Sequence, residues 1–136
     1  MDRIRFLFAA KKDYSELAVF CKNKEARKPL KKILASKGVA RVAVAKSGNG
    51  EIVGKALLYV LPWTARKNSS RAIIAEVFVR EGYRNKGIAT RLVKFCIKQA
   101  KKSACDVQID RVEPQNKVAV RIYKKIFPKK KIVFST

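Results

Sequence analysis

Histidine is absent from this chain of 136 residues, and acidic residues are scarce. Without histidine, the chain cannot form a Ser-His-Asp or Cys-His triad, a histidine-ligated zinc site or a histidine acid or base. Ten Asp and Glu residues stand against 33 Lys and Arg residues, so the formal net charge is +23. Ion-pair networks of the kind found in heat-adapted proteins need more acids than this, and a charge so positive favours polyanionic partners.

Cysteine and long apolar runs are also rare. The three cysteines, Cys21, Cys96 and Cys105, are an odd number without CxxC spacing, which predicts no disulfide framework and no metal site. They are typical of reduced core thiols in an intracellular protein. The apolar run at residues 6–10 is too short for a signal-peptide core or a membrane span. We therefore expect a soluble, cytoplasmic protein with no membrane partner, either a monomer or a homodimer.

The length and the 48% hydrophobic content fit one globular domain over residues 1–136. Alternating apolar residues on both sides of a glycine-rich turn at residues 47–50 predict a β-hairpin. The run at residues 72–79, AIIAEVFV, is typical of a strand buried on both faces. Predicted strands cover residues 4–8, 39–45, 52–61, 72–79, 105–112 and 132–134. One predicted helix begins near Asp13, and a second covers residues 24–36. A third follows the loop at 80–86 and ends at Lys102, and a fourth covers residues 115–126. The pattern indicates a mixed α/β sandwich.

The stretch from Val79 to Thr90 predicts a phosphate-binding loop. A buried strand leads through a short loop into the first turn of a helix, where main-chain N–H groups lack intrahelical partners and carry the positive end of the helix dipole. Gly87 is small enough for a pyrophosphate to approach the main chain closely. Arg84 and Lys86 add positive side chains to the same loop.

Two spaced patterns resemble signatures of the GNAT superfamily, the acyl-CoA-dependent N-acetyltransferases. The first, R/Q-x-x-G-x-G/A, is matched by Arg84, Gly87 and Ala89, with Tyr83 preceding them as a tyrosine commonly does in that loop. The second is an asparagine, an alanine and a tyrosine on the next helix, matched in spacing by Asn116, Ala119 and Tyr123. The resemblance covers residues 72–126.

The resemblance implies a mixed, mostly antiparallel sheet of about six strands, with helices on both faces and splayed central strands. It implies acetyl-CoA as acyl donor, no metal, and Tyr123 as the acid that protonates the departing thiolate. A phenol with a pKa of about 10 is protonated at neutral pH and suits that role; the alternative is a half-buried aromatic with its hydroxyl in water. The implied cofactor-binding residues are Phe78, Val79, Arg84, Asn85, Lys86, Gly87, Ile88, Ala89, Thr90, Asn116 and Ala119.

Glu76 is the candidate general base. It is the only acid in the apolar run at 72–79, and burial of a carboxylate would raise its pKa toward that of a useful base. Alternatively Glu76 forms an ion pair with a lysine, or the base position is Ala75 and Glu76 faces away. Glu113 and a water relay are further alternatives.

The carboxyl terminus departs from the family pattern. Relatives commonly continue Tyr-x-x-x-Gly-Phe, whereas Tyr123 is followed by Lys-Lys-Ile-Phe-Pro. Since the glycine is missing and eight residues follow Pro128, we expect an abbreviated C-terminal hairpin.

The resulting prediction is an acetyltransferase in which an amine attacks the thioester directly. No acyl-enzyme is expected, because Cys96 and Cys105 show no activating neighbours. The charge favours an acidic peptide or a polyanion-bound protein as acceptor over polyamines. The alternatives are a nucleic-acid-associated binding module and an inactive subunit, both on the same scaffold.

Overall fold

A five-stranded sheet forms the centre of the chain in a computed structural model that describes residues 3–21, 24–35, 39–62, 70–102, 105–109 and 117–128. The strands follow the order of the sequence, with β1 to β4 antiparallel and β5 parallel to β4. The strands are β1 (Arg5–Phe8), β2 (Ala40–Lys46), β3 (Ile52–Pro62), β4 (Ser70–Val79) and β5 (Cys105–Ile109). The helices are α1 (Tyr14–Ala18), α2 (Lys24–Ala35), α3 (Ile88–Lys101) and α4 (Lys117–Ile126), and a 3₁₀ turn at Lys11–Asp13 precedes α1.

The predicted hairpin is confirmed as β2 and β3. The Ser47 N–H donates to the Glu51 carbonyl at 2.8 Å, and the Gly50 N–H donates to the Ser47 carbonyl at 2.9 Å. Gly50 has φ +86°, a conformation that glycine adopts without the steric cost of a Cβ. The turn chemistry at residues 47–50 therefore sets the register of the β2–β3 pair.

Helices cover both faces of the sheet, which confirms the predicted mixed α/β sandwich. On one face Ala43, Leu58 and Ile74 pack with Leu92 of α3 and with Tyr123 of α4 in one buried cluster. The other face has its own cluster, and α1 and α2 cover it. That cluster consists of Leu17, Val42, Val44, Ile52, Leu57 and Ala75, with Leu30, Ile33 and Leu34 of α2 packed against it.

A β-bulge interrupts β4 at Glu76. Leu57 pairs with Ala75, and Lys55 pairs with Phe78, so two residues of β4 stand opposite Ala56. An extra residue of this kind is left out of the ladder and bends the strand. Glu76 has φ +51°, a conformation that costs a residue with a side chain about 1–3 kcal/mol.

The bulge also reverses the face of the sheet to which each later β4 side chain points. Ile74 packs on the α3 side of the sheet, and so does Val77, three residues later. Without the extra residue, strand alternation would place these two side chains on opposite faces. Phe78 consequently contacts Phe20 on the α1 side, with ring centroids 5.3 Å apart.

The described pairing of β4 with β5 covers the first half of β4. The described pairs run from Ser70 with Cys105 to Ile74 with Ile109, so residues 75–79 extend past the last of them. The predicted end of β5 at residues 110–112, the sixth strand at 132–134 and the abbreviated hairpin lie outside the described residues. None of the described helices has the length and apolarity needed to cross a membrane.

A buried ion pair connects the segment before α1 to the end of β2. The Lys46 ammonium donates to Asp13 Oδ1 at 2.9 Å, and the Ala10 N–H donates to Oδ2 at 2.8 Å. Burial alone would raise the pKa of Asp13, but the hydrogen bonds from Ala10 and Lys46 and the charges of Lys46 and Lys12 lower it below its ordinary value. A carboxylate with these partners is held in its ionised form.

Candidate functional site

The loop between β4 and α3 has three residues with positive φ. These are Gly82 at +89°, Asn85 at +63° and Gly87 at +78°. A Cβ built on Gly87 would meet no other atom within 4 Å. The glycine is therefore required by its backbone conformation and not by crowding, and the space beside it is open to a ligand.

Helix α3 begins directly after Gly87, which provides no side-chain cap. The first helical hydrogen bond runs from the Arg91 N–H to the Gly87 carbonyl at 3.1 Å. The main-chain N–H groups of Ile88, Ala89 and Thr90 therefore precede the intrahelical ladder. Gly87 is exposed and Ala89 and Thr90 are half-buried, so this helix terminus can receive an anion from solvent.

Basic side chains surround the same helix terminus. Arg84, Asn85 and Lys86 are exposed. The Arg84 guanidinium donates from Nε to the Val79 carbonyl at 2.9 Å and lies 5.4 Å from the centre of the Phe78 ring. Two contacts hold this guanidinium at the end of β4, next to the positive end of α3. The loop thus combines main-chain donors with fixed positive charge, the arrangement that binds phosphate groups.

Beyond the bulge, alternate residues of β4 turn their main-chain groups away from β3. The Arg80 N–H donates to the Val53 carbonyl of β3 at 2.8 Å. Since successive strand residues direct their N–H and C=O groups to opposite edges, those of Val79 and Val77 face the β5 edge. The described pairing with β5 has already ended at Ile74. An extended ligand could add to this edge as a strand does.

Glu76 lies on the bulge with a side chain that is 61% exposed. The expectation of a buried carboxylate is therefore wrong, because the bulge turns Glu76 out of the regular alternation of the strand. Its Oε1 lies 3.7 Å from the Lys55 ammonium, which is the ion pair considered as the alternative. Ala75, the other position considered for the base, is buried against α1 and α2.

Tyr123 of α4 is 5% exposed. The ring is therefore buried and not half-buried, as the alternative had it. Tyr123 shares its buried cluster with Ile74, the β4 residue in the last described pair with β5, so α4 brings it to that end of the described pairing. Ala119 is half-buried beside the same cluster. Asn116 and Glu113 lie outside the described residues.

Three residues contribute to the site in ways that the sequence does not predict. Val77 presents main-chain groups to the β5 edge, while Lys55 and Phe20 contact Glu76 and Phe78, respectively. Each depends on the bulge, which alters which side chains meet across β3 and β4. The only local sign of it is a charged residue inside an apolar strand.

The described residues contain no group of three or more His, Cys, Asp or Glu side chains suited to a metal ion. Cys96 is buried in the core, and burial raises the pKa of its thiol to about 12. Such a thiol stays protonated at neutral pH and is not a nucleophile.

Comparison with known proteins gives the same fold and identifies the family. Solved structures similar to this chain include a transcriptional regulator from Bacillus halodurans C-125 (TM-score 0.79, 23% identity, covering 98% of this chain and 97% of that one). Another is a ribosomal-protein-alanine N-acetyltransferase from Brucella melitensis biovar Abortus 2308 (TM-score 0.77, 17% identity, covering 98% of this chain and 96% of that one). A third is NAA60 from Arabidopsis thaliana in complex with acetyl-CoA (TM-score 0.76, 18% identity, covering 91% of this chain and 83% of that one). The model of the acetyltransferase (GNAT) family matches residues 7–127, and the chain therefore belongs to the GNAT acetyltransferase family.

Proposed function

We propose that this protein transfers an acetyl group from acetyl-CoA to a primary amine. The observation that carries the proposal is the β4–α3 loop, where an open helix terminus at Gly87 and the fixed cation Arg84 suit the CoA pyrophosphate. One similar structure is a complex with acetyl-CoA, and another is named as a ribosomal-protein-alanine N-acetyltransferase. These names support acetyl-CoA as donor and an amine as acceptor.

The donor is proposed to extend from this loop along the β5-facing edge of β4. Its pyrophosphate would accept hydrogen bonds from the N–H groups of Ile88, Ala89 and Thr90, with Lys86 adding charge. Its pantetheine arm would pair with the main chain of Val79 and Val77. The thioester would then lie near the bulge, beyond the last described pair of β4 with β5. Phe78 and Asn85 border this path, and Asn116 and Ala119 are proposed to contact the donor from the α4 side.

The proposed reaction is a direct displacement. The neutral amine nitrogen attacks the thioester carbonyl, a C–N bond forms, the C–S bond breaks, and the CoA thiolate leaves. Tyr123 would give that thiolate its hydroxyl proton, and water would restore the proton to Tyr123. A phenol suits this step because phenols are ordinarily protonated at neutral pH and can donate to a thiolate.

Glu76 is the proposed base among the described residues, with Glu113 and a water relay as the alternatives. Its exposed carboxylate attracts an ammonium group and accepts one proton when the amine attacks. Because an exposed carboxylate paired with Lys55 is a modest base, the acceptor amine must supply much of its own neutral form. An α-amine with a pKa of about 8 is neutral in roughly a tenth of molecules at pH 7, far more than a lysine side chain.

The acceptor is proposed to be a peptide or protein amine with acidic residues nearby. A net charge of +23 repels polyamines and attracts acidic chains. Turnover of an acidic peptide with a free α-amine should therefore exceed that of spermidine at low salt. Comparable turnover of the two would contradict this choice of acceptor.

The experiment is a transfer assay that records both release of the CoA thiol and acetylation of the peptide by mass spectrometry. The wild-type chain should show both signals in a one-to-one ratio. Tyr123→Phe should retain acetyl-CoA binding and lose most of the transfer rate, while Tyr14→Phe, on α1, should behave as the wild type. Thiol release without acetylated peptide would indicate hydrolysis and would overturn the proposed transfer.

A further inference from the structure

Helices α3 and α4, which cover the same face of the sheet, carry eight basic residues and no acidic residue. All eight side chains are exposed, whereas the described apolar side chains of both helices are buried or half-buried. We call this the α3–α4 basic surface. It consists of Arg91, Lys94, Lys98, Lys101, Lys117, Arg121, Lys124 and Lys125.

Among the described residues, no carboxylate forms an ion pair with a cation of this surface. Within the described part of the chain, every ion pair lies elsewhere, on α2, in the segment before α1 or on the strands β2, β3 and β4 and their loops. Exposed like charges without counter-charges produce a field that attracts polyanions over distances of about a Debye length. The ion pairs are Lys28–Glu25, Lys46–Asp13, Lys55–Glu76 and Arg80–Glu51.

The α3 part of the surface has the form of a stripe. Arg91, Lys94, Lys98 and Lys101 follow at intervals of three and four residues, which places them along one side of the helix. Ten residues of helix separate the first from the last, or about 15 Å. A nucleic-acid duplex carries about nine phosphate charges over that length. The four cations are fewer than the phosphates over this length, so each can contact a phosphate of its own.

The aromatic and apolar residues of α3 and α4 decide which polyanion fits. Phe95 is half-buried and Tyr123 buried, so the described part of these helices offers no exposed ring on which a single-stranded base could stack. The exposed large hydrophobic residues of the described chain are Val19, Val39 and Phe78, none of which lies on α3 or α4. The surface therefore lacks the apolar side chains that enter a membrane interface.

We propose that the α3–α4 basic surface binds the phosphate backbone of a nucleic-acid duplex without reading its sequence. The contacts are those of lysine and arginine with phosphate oxygens, which position a protein on a duplex and carry no base specificity. The proposal does not rest on acetyl transfer, because the surface lies on the outer sides of α3 and α4 and not in the β4–α3 loop.

Fluorescence anisotropy with a labelled 20-base-pair DNA duplex at several salt concentrations tests the proposal. The slope of log K against log salt should approach −7 if all eight cations engage, at about −0.9 for each neutralised phosphate. The variant K94Q/K98Q/K101Q should reduce the magnitude of the slope by about 2.7. The matched control R27Q/K28Q/K32Q removes the same charge from α2, which packs on the opposite face of the sheet, and should keep the wild-type slope.

Several results would overturn the proposal. Equal losses in the two triple variants would mean that net charge, and not this surface, attracts the duplex. Preference for a single strand of the same length would exclude duplex recognition. Binding to vesicles of phosphatidylserine without binding to the duplex would identify a lipid surface as the partner. Glutamine retains helix propensity, so both variants should keep the wild-type melting temperature, and acetyl-CoA binding by each serves as a separate control for folding.

Discussion

Replacing Gly87 with glutamate should abolish most of the affinity for acetyl-CoA, and the charge should account for most of the loss. A Cβ at this position meets no atom within 4 Å, so the new side chain enters open space beside the start of α3. The backbone has φ +78°, so any L side chain adds about 1–2 kcal/mol of strain. A carboxylate about 6 Å from a phosphate charge repels it by about 3 kcal/mol at an effective dielectric constant of 20, or roughly 100-fold in Kd.

Gly87→Gln separates the two contributions, because glutamine has the same backbone strain and nearly the same size without the charge. Thermal unfolding should show both variants destabilised by the positive φ, with the glutamate variant about 0.3–1 kcal/mol the more stable because its carboxylate lies at the positive end of α3. Calorimetric titration should show the glutamate variant binding roughly 100-fold more weakly than the glutamine variant, with the gap narrowing as salt is added. Equal affinities of the two variants would refute the placement of the pyrophosphate at Gly87.

Four further substitutions or treatments test other parts of the molecule. Asp13→Asn leaves the buried Lys46 ammonium unpaired and should lower the free energy of unfolding by about 3–5 kcal/mol in denaturant titrations, while D13N/K46M should recover most of it. Because the folded pKa of Asp13 lies below 3.8, its ion pair with Lys46 stabilises the fold above that pH. Acid titration should remove this stabilisation as the pH falls below about 4. The Asp13→Asn variant should not show this loss of stability in acid. Tyr123→Phe should lower kcat by about 10²-fold or more with Kd for acetyl-CoA unchanged, and an unaltered kcat would exclude it as the acid. Glu76→Gln should lower kcat/KM by about 10²-fold, at the lower end for a positioned base, and full activity would favour the water relay. Iodoacetamide at pH 8 should leave Cys96 unmodified in the folded chain, since burial raises the pKa of its thiol to about 12, and peptide mapping would reveal any modification.

Local patterns in the sequence predict much of the fold. The turn at residues 47–50 predicts the β2–β3 hairpin because its chemistry is contained in four neighbouring residues. The periodicity after Gly87 predicts the inward face of α3, and Ile88, Leu92, Cys96 and Ala100 are indeed buried. Helix spacing and turn residues act over a few positions, so one sequence suffices to read them.

The details of the site depend on contacts that a single sequence does not encode locally. The run at 72–79 is typical of a continuous buried strand, yet the bulge at Glu76 exists only through the pairing of β4 with β3. It exposes the carboxylate expected to be buried and leaves Phe78 41% exposed against Phe20. The motif residues of the loop were predictable, since they follow one another along the chain. The contact of Phe78 with Arg84 and that of Lys55 with Glu76 were not predictable.

The sequence gives the amount of positive charge, and the structure adds where that charge is concentrated. The excess of lysine and arginine predicts polyanionic partners without locating them. The structure separates two clusters of cations, a loop where Arg84 is held at a helix terminus and an outer surface on α3 and α4 where, among the described residues, the cations form no ion pair with a carboxylate. Only the first is proposed to bind a small donor such as acetyl-CoA. The two are testable apart, because charge removal on α3 should leave donor binding intact.

Calorimetric titration of the wild-type chain with acetyl-CoA tests the proposed donor site most directly. We expect one binding site per chain with a Kd within the micromolar-to-millimolar range that enzymes show for their substrates, and a rise in melting temperature as the donor is added. No heat of binding and no shift in melting temperature at millimolar acetyl-CoA would contradict the assignment of the β4–α3 loop as the donor site.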